Sequence, residues 1–136
     1  MKRRWICLLL PILTIVLELL PYGAVCNFGS PNGAVTRETY SYFSLVPFGY
    51  ANVGPMITAV LSCIVLVIGV AYCASGKRAL LISLLGTTLL AFIFSGLPLL
   101  HGVSYYSLVA GMISLSLMLE MIVEVVFLIK INQSDL

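Results

Sequence analysis

Three glutamates stand inside segments that otherwise look built for lipid. Residues 117–130 read LMLEMIVEVVFLIK, with Glu120 and Glu124 among eleven apolar residues, and Glu18 lies near the end of the apolar run that starts at Trp5. Glu120 and Glu124 are four residues apart, so on a helix they share a face, and Ser116 continues the same stripe. Lys130 is six residues beyond Glu124 and points elsewhere, so the obvious nearby cation is a poor partner. At about 1.5 Å of rise per residue, Glu120 lies roughly 15 Å and Glu124 roughly 9 Å in from Lys130, with Glu18 roughly 20 Å in from Trp5. Glu18 and Glu120 are therefore expected at similar depths on neighbouring helices. Glu124 is expected within reach of Lys77, Arg78 or the arginines at the N-terminus.

A charge at mid-membrane costs at least about 2.5 kcal/mol on insertion scales, so such residues normally face the bundle interior or a wet cavity. Two chemistries fit. A protonated carboxyl can donate to a serine or to another glutamate and act as polar glue between helices. A carboxyl that loads and unloads is a proton or cation site. The candidate residues for either are Glu18, Glu120, Glu124 and Ser116.

Other chemistry finds no support. His101 is the only histidine, at a turn with no acidic residue nearby, and nothing resembles a phosphate loop or a catalytic triad. Cys7, Cys63 and Cys73 fall inside or at the ends of apolar segments, without CxxC or metal-ligand spacing. Cys26 alone is expected on the external side, so no external disulfide closes within one chain; a bridge to another molecule is the remaining option. No enzyme activity, cofactor or metal is expected.

The elements that must hold these residues follow from composition. The 136 residues are 61% hydrophobic and 9% charged, with a mean hydropathy of +1.14. A soluble domain carries about 25% charged residues, and a chain this short cannot hide so much apolar surface in an aqueous core. The net charge of +2, without a dense basic run, gives no case for nucleic acid. A spanning helix needs about 20 apolar residues. Four continuous stretches qualify, at about residues 5–25, 55–74, 79–100 and 105–129, and they lack the alternation of a membrane barrel. The expectation is one all-α transmembrane domain covering residues 1–136, with an external loop over about residues 22–54.

Lys2, Arg3 and Arg4 precede the first helix, Lys77 and Arg78 lie between the second and third, and Lys130 follows the fourth; the other side holds only Arg37. Positive residues stay cytoplasmic. Both termini are thus expected inside, in the plasma (inner) membrane. The first segment also has the outline of a signal peptide, but Val25 before Cys26 departs from an A-x-A-like cleavage site, and the expectation is an uncleaved helix.

SYFSLV at residues 41–46 is echoed by SYYSLV at 104–109, and GPMIT at 54–58 by AGMIS at 110–114. Either the chain is two hairpins forming a parallel repeat, or apolar sequence has produced the echo by chance. The first external loop carries the longer connection, with GSPNG at residues 29–33. Proline followed by Asn-Gly is a turn signal. Val35, Thr36, Thr39 and Tyr40 beside it predict a β-hairpin. The loop holds seven of the fourteen aromatic residues, which prefer the membrane interface. It is expected to lie as a small cap against the membrane surface, as an anchor or as a docking surface.

In the third helix Ala79, Ser83, Thr87, Ala91 and Ser95 recur every four residues. Small residues let membrane helices approach closely, so Ser83, Thr87, Ala91 and Ser95 are expected to form a packing face, within the chain or between copies. Two functions fit these features. One is a non-enzymatic membrane component that binds or stabilises a membrane-protein partner, or a homo-oligomer. The other is a small proton- or cation-linked transporter or channel using the intramembrane glutamates.

Overall fold

The computed structural model describes residues 5–45 and 53–134. The basic residues Lys2, Arg3 and Arg4 and the loop residues 46–52 lie outside the described residues. Four helices form: α1 (Ile6–Leu19), α2 (Val53–Ser75), α3 (Arg78–Gly96) and α4 (Leu108–Ser134). Between α1 and α2 stands an antiparallel hairpin of β1 (Ala24–Gly29) and β2 (Val35–Tyr40). α2, α3 and α4 are each long and apolar enough to cross a membrane, α3 with the 3-10 turn Leu97–His101 that continues it. The chain is accordingly an integral membrane protein.

Each helix packs against two others: α1 on α2 and α4, α3 on α2 and α4. One end of the bundle gathers Cys7, Tyr72 and Leu81 with Phe127 and Ile131. The other end gathers Ala24, Tyr42, Ala59, Ala91, Ala110 and Ile113. The start of α1 thus sits with the end of α2, the start of α3 and the end of α4, an up-down-up-down ring.

The buried positions explain this ring. They include Cys7, Pro11, Thr14 and Glu18, with Leu8 beside them, in α1, and Thr58, Ser62, Val65, Gly69 and Tyr72, with Gly54, Pro55 and Ala59, in α2. In α3 they are Leu81, Leu84, Thr88, Ala91 and Ser95, and in α4 Ala110, Ile113, Leu117, Glu120 and Glu124. The steps of three and four that dominate these sets keep a stripe on one face, as in a left-handed bundle seam. Small and polar residues occupy much of the seam, while the lipid side carries exposed Leu, Ile and Val. Helices in lipid associate through such close, polar contacts, because lipid supplies no hydrophobic drive between them. Gly54 marks one close approach: a Cβ there would stand 2.9 Å from the Phe94 carbonyl of α3.

Several boundaries differ from expectation. α1 ends at Leu19 instead of residue 25. Its 14 residues rise about 21 Å, short of the roughly 30 Å hydrocarbon thickness. Pro21 and Gly23 break the helix, and the apolar run AVC that follows is a buried strand, which hydropathy cannot tell from helix. α3 stops at Gly96, because Pro98 tightens the chain into a 3-10 turn. α4 begins at Leu108, three residues late, because Ser107 caps it: the Ala110 N–H donates to Ser107 Oγ at 2.9 Å.

The hairpin forms at the anticipated turn. The Gly33 N–H donates to the Ser30 carbonyl at 2.9 Å, and Gly33 takes φ 77°, which glycine adopts at no steric cost. Its two strands differ in surroundings. β2 is exposed, but Ala24, Val25 and Cys26 of β1 are all buried, and Ala24 pairs with Tyr106 ahead of α4. The cap therefore seats one strand on the bundle end. Cys26 is only 1% exposed, which works against a bridge to another molecule. Burial pushes its thiol pKa up, and the Glu38 carboxylate adds to the rise. An impermeant maleimide applied at neutral pH is expected to modify Cys26 at least ten-fold more slowly in the native protein than after denaturation; equal rates would show that β1 does not seat there.

Candidate functional site

All four helices contribute polar side chains to one column inside the bundle. α1 supplies Thr14 and Glu18, one turn apart; α4 supplies Ser116, Glu120 and Glu124; α2 supplies Ser62 and α3 supplies Thr88. Glu18 is 0% exposed, and Glu120 and Glu124 are each 2% exposed. The helices carry them there because each lies on its seam, so the same packing that excludes lipid also excludes water.

Each carboxyl has one bonded and one unpartnered oxygen. Ser62 Oγ donates to Glu18 Oε1 at 2.7 Å, and Thr88 Oγ1 to Glu124 Oε1 at 3.0 Å. Thr14 Oγ1 donates to Glu120 Oε1 and lies 2.7 Å from Ser116 Oγ. The second oxygen, Oε2, of Glu18, Glu120 and Glu124 is buried without a partner among the described residues. The hydroxyls are also contested. Thr14 Oγ1 lies 3.1 Å from the Leu10 carbonyl, and Thr88 Oγ1 lies 3.0 Å from the Leu84 carbonyl. A threonine hydroxyl has one proton, so each can serve its own helix or the carboxylate across the interface, and a small rotation switches between them.

The column has a direction. Glu120 and Glu124 are separated by about 6 Å of rise along α4, as are Thr14 and Glu18 along α1. Since Thr14 meets Glu120, the order from the Lys130 end is Glu124, Glu120, Glu18. Glu18 thus stands about one turn beyond Glu120, and among the described residues Glu124 pairs with Thr88 and not with a lysine or arginine. Among the described residues no three His, Cys, Asp or Glu side chains come together as a metal site. His101 stays exposed at its turn, its ring edge-on to Tyr105 at 6.2 Å.

A second polar group sits nearer the hairpin. Ser95 Oγ lies 2.8 Å from Ser114 Oγ, which is 2.6 Å from the Tyr106 hydroxyl, and Ser107 Oγ donates to the Gly23 carbonyl at 2.7 Å. These bonds tie the cap to α3 and α4.

The expected packing face on α3 is only partly placed inside. Ala91 and Ser95 are buried, but Ser83 is exposed, and the half-buried Thr87 donates to the Ser83 carbonyl of its own helix. A strict four-residue repeat advances about 40° beyond each full turn, so the stripe winds off the face. Thr88 takes the position assigned to Thr87. The partners Thr14, Ser62 and Thr88 were missed for a related reason: single hydroxyls are ordinary in apolar helices, and only the seam periodicity separates them from lipid-facing ones.

Comparison with known proteins finds no family model, no curated protein and no solved structure that matches the chain.

Proposed function

We propose that this is a non-enzymatic, proton-linked membrane transporter or channel whose working groups are Glu18, Glu120 and Glu124. The observation that carries the reading is the set of three buried carboxyls, each bonded to a hydroxyl through one oxygen and unpartnered at the other among the described residues. Glue would be served by neutral amides or hydroxyls, without three acids in a low-dielectric core. A buried oxygen with no donor is unfavourable in a purely structural network, but it is what a carboxyl that accepts and releases a proton provides. The Thr14 and Thr88 hydroxyls can switch acceptor, so at Glu120 and Glu124 a proton can leave or arrive without repacking a helix.

In this reading four helical segments stand across the plasma (inner) membrane with both termini cytoplasmic, and the extended residues after α1 complete its crossing through the cap. Lys77, Arg78 and Lys130 lie at the end of the bundle where α1 begins, and Arg37 lies on the hairpin at the other. That separation supports the orientation. Single cysteines introduced at Asn32 and Lys77 test it. The first is expected to react with an impermeant maleimide in intact cells and the second only after lysis; the reverse would place the hairpin inside.

Proton entry into liposomes carrying the purified protein, read by a trapped pH dye under an imposed potential, tests the function. Flux above protein-free liposomes is expected, and flux at their level would sink it. One observation favours the second reading, a partner-binding component: β2 is exposed along nearly all its length and, among the described residues, has one edge unpaired. Absent flux, with a membrane protein held stoichiometrically through β2, would establish that reading instead.

A further inference from the structure

Tyr42 belongs to the cap but sits inside the bundle. It is 0% exposed and packs in one cluster with Ala59 of α2, Ala91 of α3 and Ala110 of α4, small residues that leave room for a ring. Its position is held from both sides. The Tyr42 N–H donates to the Glu18 carbonyl at 2.9 Å. A Cβ at Gly23 would stand 2.8 Å from the Tyr42 ring, so only glycine lets the chain after α1 pass this close. Because α1 ends at Leu19, no further turn of helix covers Glu18 toward the hairpin, and the chain returns to the end of α1 at Tyr42.

The hydroxyl is the second notable feature. Tyr42 Oη is buried with no partner among the described residues, although a buried tyrosine usually finds one. The titratable groups that act on it are Tyr106 and Glu18, and burial is the largest influence pushing its phenol pKa up, so the group stays a neutral O–H able to donate and accept. Tyr42 Oη and Glu18 Oε2 are thus two buried groups with unmet hydrogen-bonding capacity among the described residues, on residues joined through the Tyr42 N–H and the Glu18 carbonyl.

We propose that Tyr42 is the outermost member of the carboxyl site: its ring closes Glu18 off from the hairpin side, and its hydroxyl passes protons between Glu18 and water on that side. This rests on the proton-linked reading above. In the step, the Tyr42 ring swings outward and admits water: the Glu18 carboxyl O–H bond breaks as its proton passes through that water to the phenol oxygen, and the phenol proton leaves to water on the hairpin side. Glu18 is left as carboxylate, Tyr42 is again neutral, and hydronium carries the charge away; entry runs in reverse. No other co-reactant is required.

Right-side-out vesicles treated with an impermeant, water-soluble carbodiimide and an amine nucleophile test the closure, with modified glutamates mapped by mass spectrometry. The exposed Glu38 serves as the internal control. In the native chain Glu38 is expected to react and Glu18 not. Tyr42→Ala is expected to raise Glu18 modification at least ten-fold while Glu120 and Glu124 stay protected. Unchanged protection of Glu18, or loss of protection at all three alike, would overturn the closure. Tyr42→Phe keeps the ring and isolates the hydroxyl: Glu18 stays protected and proton flux falls about ten-fold, whereas native flux would overturn the exchange role. The labelling needs no transport, so failure of the proton-linked reading would appear as absent flux in the native protein, separately from any result for Tyr42.

Discussion

Glu120→Gln is expected to leave the bundle folded and to bring proton flux in liposomes down to the protein-free level. Glutamine keeps the size of the side chain and an oxygen that can accept from Thr14, but it cannot take up or lose a proton. Glu120 holds the middle of the column, so on the proton-linked reading removing its proton interrupts passage between Glu124 and Glu18. Glu120→Leu adds a second loss. Thr14 is buried, and without the carboxyl it keeps only Ser116 and the Leu10 carbonyl. Interhelical hydrogen bonds in membranes contribute about 0.6 kcal/mol on average and up to about 1.7, so the leucine variant is expected to be less stable by about 1 kcal/mol, and glutamine by less. Glu124→Gln is expected to lower flux less than Glu120→Gln, because Glu124 stands at the end of the column. Detergent unfolding and liposome flux on the same preparations separate the two effects. A Glu120→Gln protein with native flux would return the carboxyls to the role of glue. A Glu120→Leu protein native in both would mean the residue merely tolerates its position.

How far the sequence discloses this site depends on contrast. An acid in an apolar run has no neighbours to blend with, so Glu18, Glu120 and Glu124 stand out, and the four-residue spacing in α4 places two of them on one face. Pro31, Asn32 and Gly33 are equally conspicuous, because only a turn uses them together, and the hairpin forms around them. Where contrast fails, hydropathy is silent, and at the end of α1 only Pro21 and Gly23 mark the break. The chain stays apolar from α1 through Ala24, Val25 and Cys26, so nothing in hydropathy announces that helix gives way to a buried strand. Tyr42 likewise reads as one interfacial aromatic among several, and only the tertiary fold sets it among four alanines. Thr14, Ser62 and Thr88 are found by period rather than by type: each falls on its helix's three-and-four seam.

The seam also sets the second large effect. Ala91→Leu is expected to destabilise the folded protein by about 1–3 kcal/mol, the usual cost of inserting extra carbons into a packed interior. Ala91 is fully buried in the cluster that receives Tyr42, and Thr58 Oγ1 of α2 lies 3.4 Å from its carbonyl, so α2 and α3 pass close together here. Three added carbons would part the two helices, strain that contact and press on the Tyr42 ring. Ser83→Leu is the contrasting case: Ser83 is exposed on the lipid side, where leucine is at home. Thr87→Leu is also expected to be mild, because Thr87 is half-buried and its hydroxyl bonds only within α3. The four-residue stripe read from sequence would instead make residues 83, 87 and 91 alike in sensitivity. Unfolding the three variants in the same detergent series decides between the two faces. A marked loss confined to Ala91→Leu supports the three-and-four seam; comparable losses at all three positions would restore the stripe and require α3 to turn a different face toward α2 and α4.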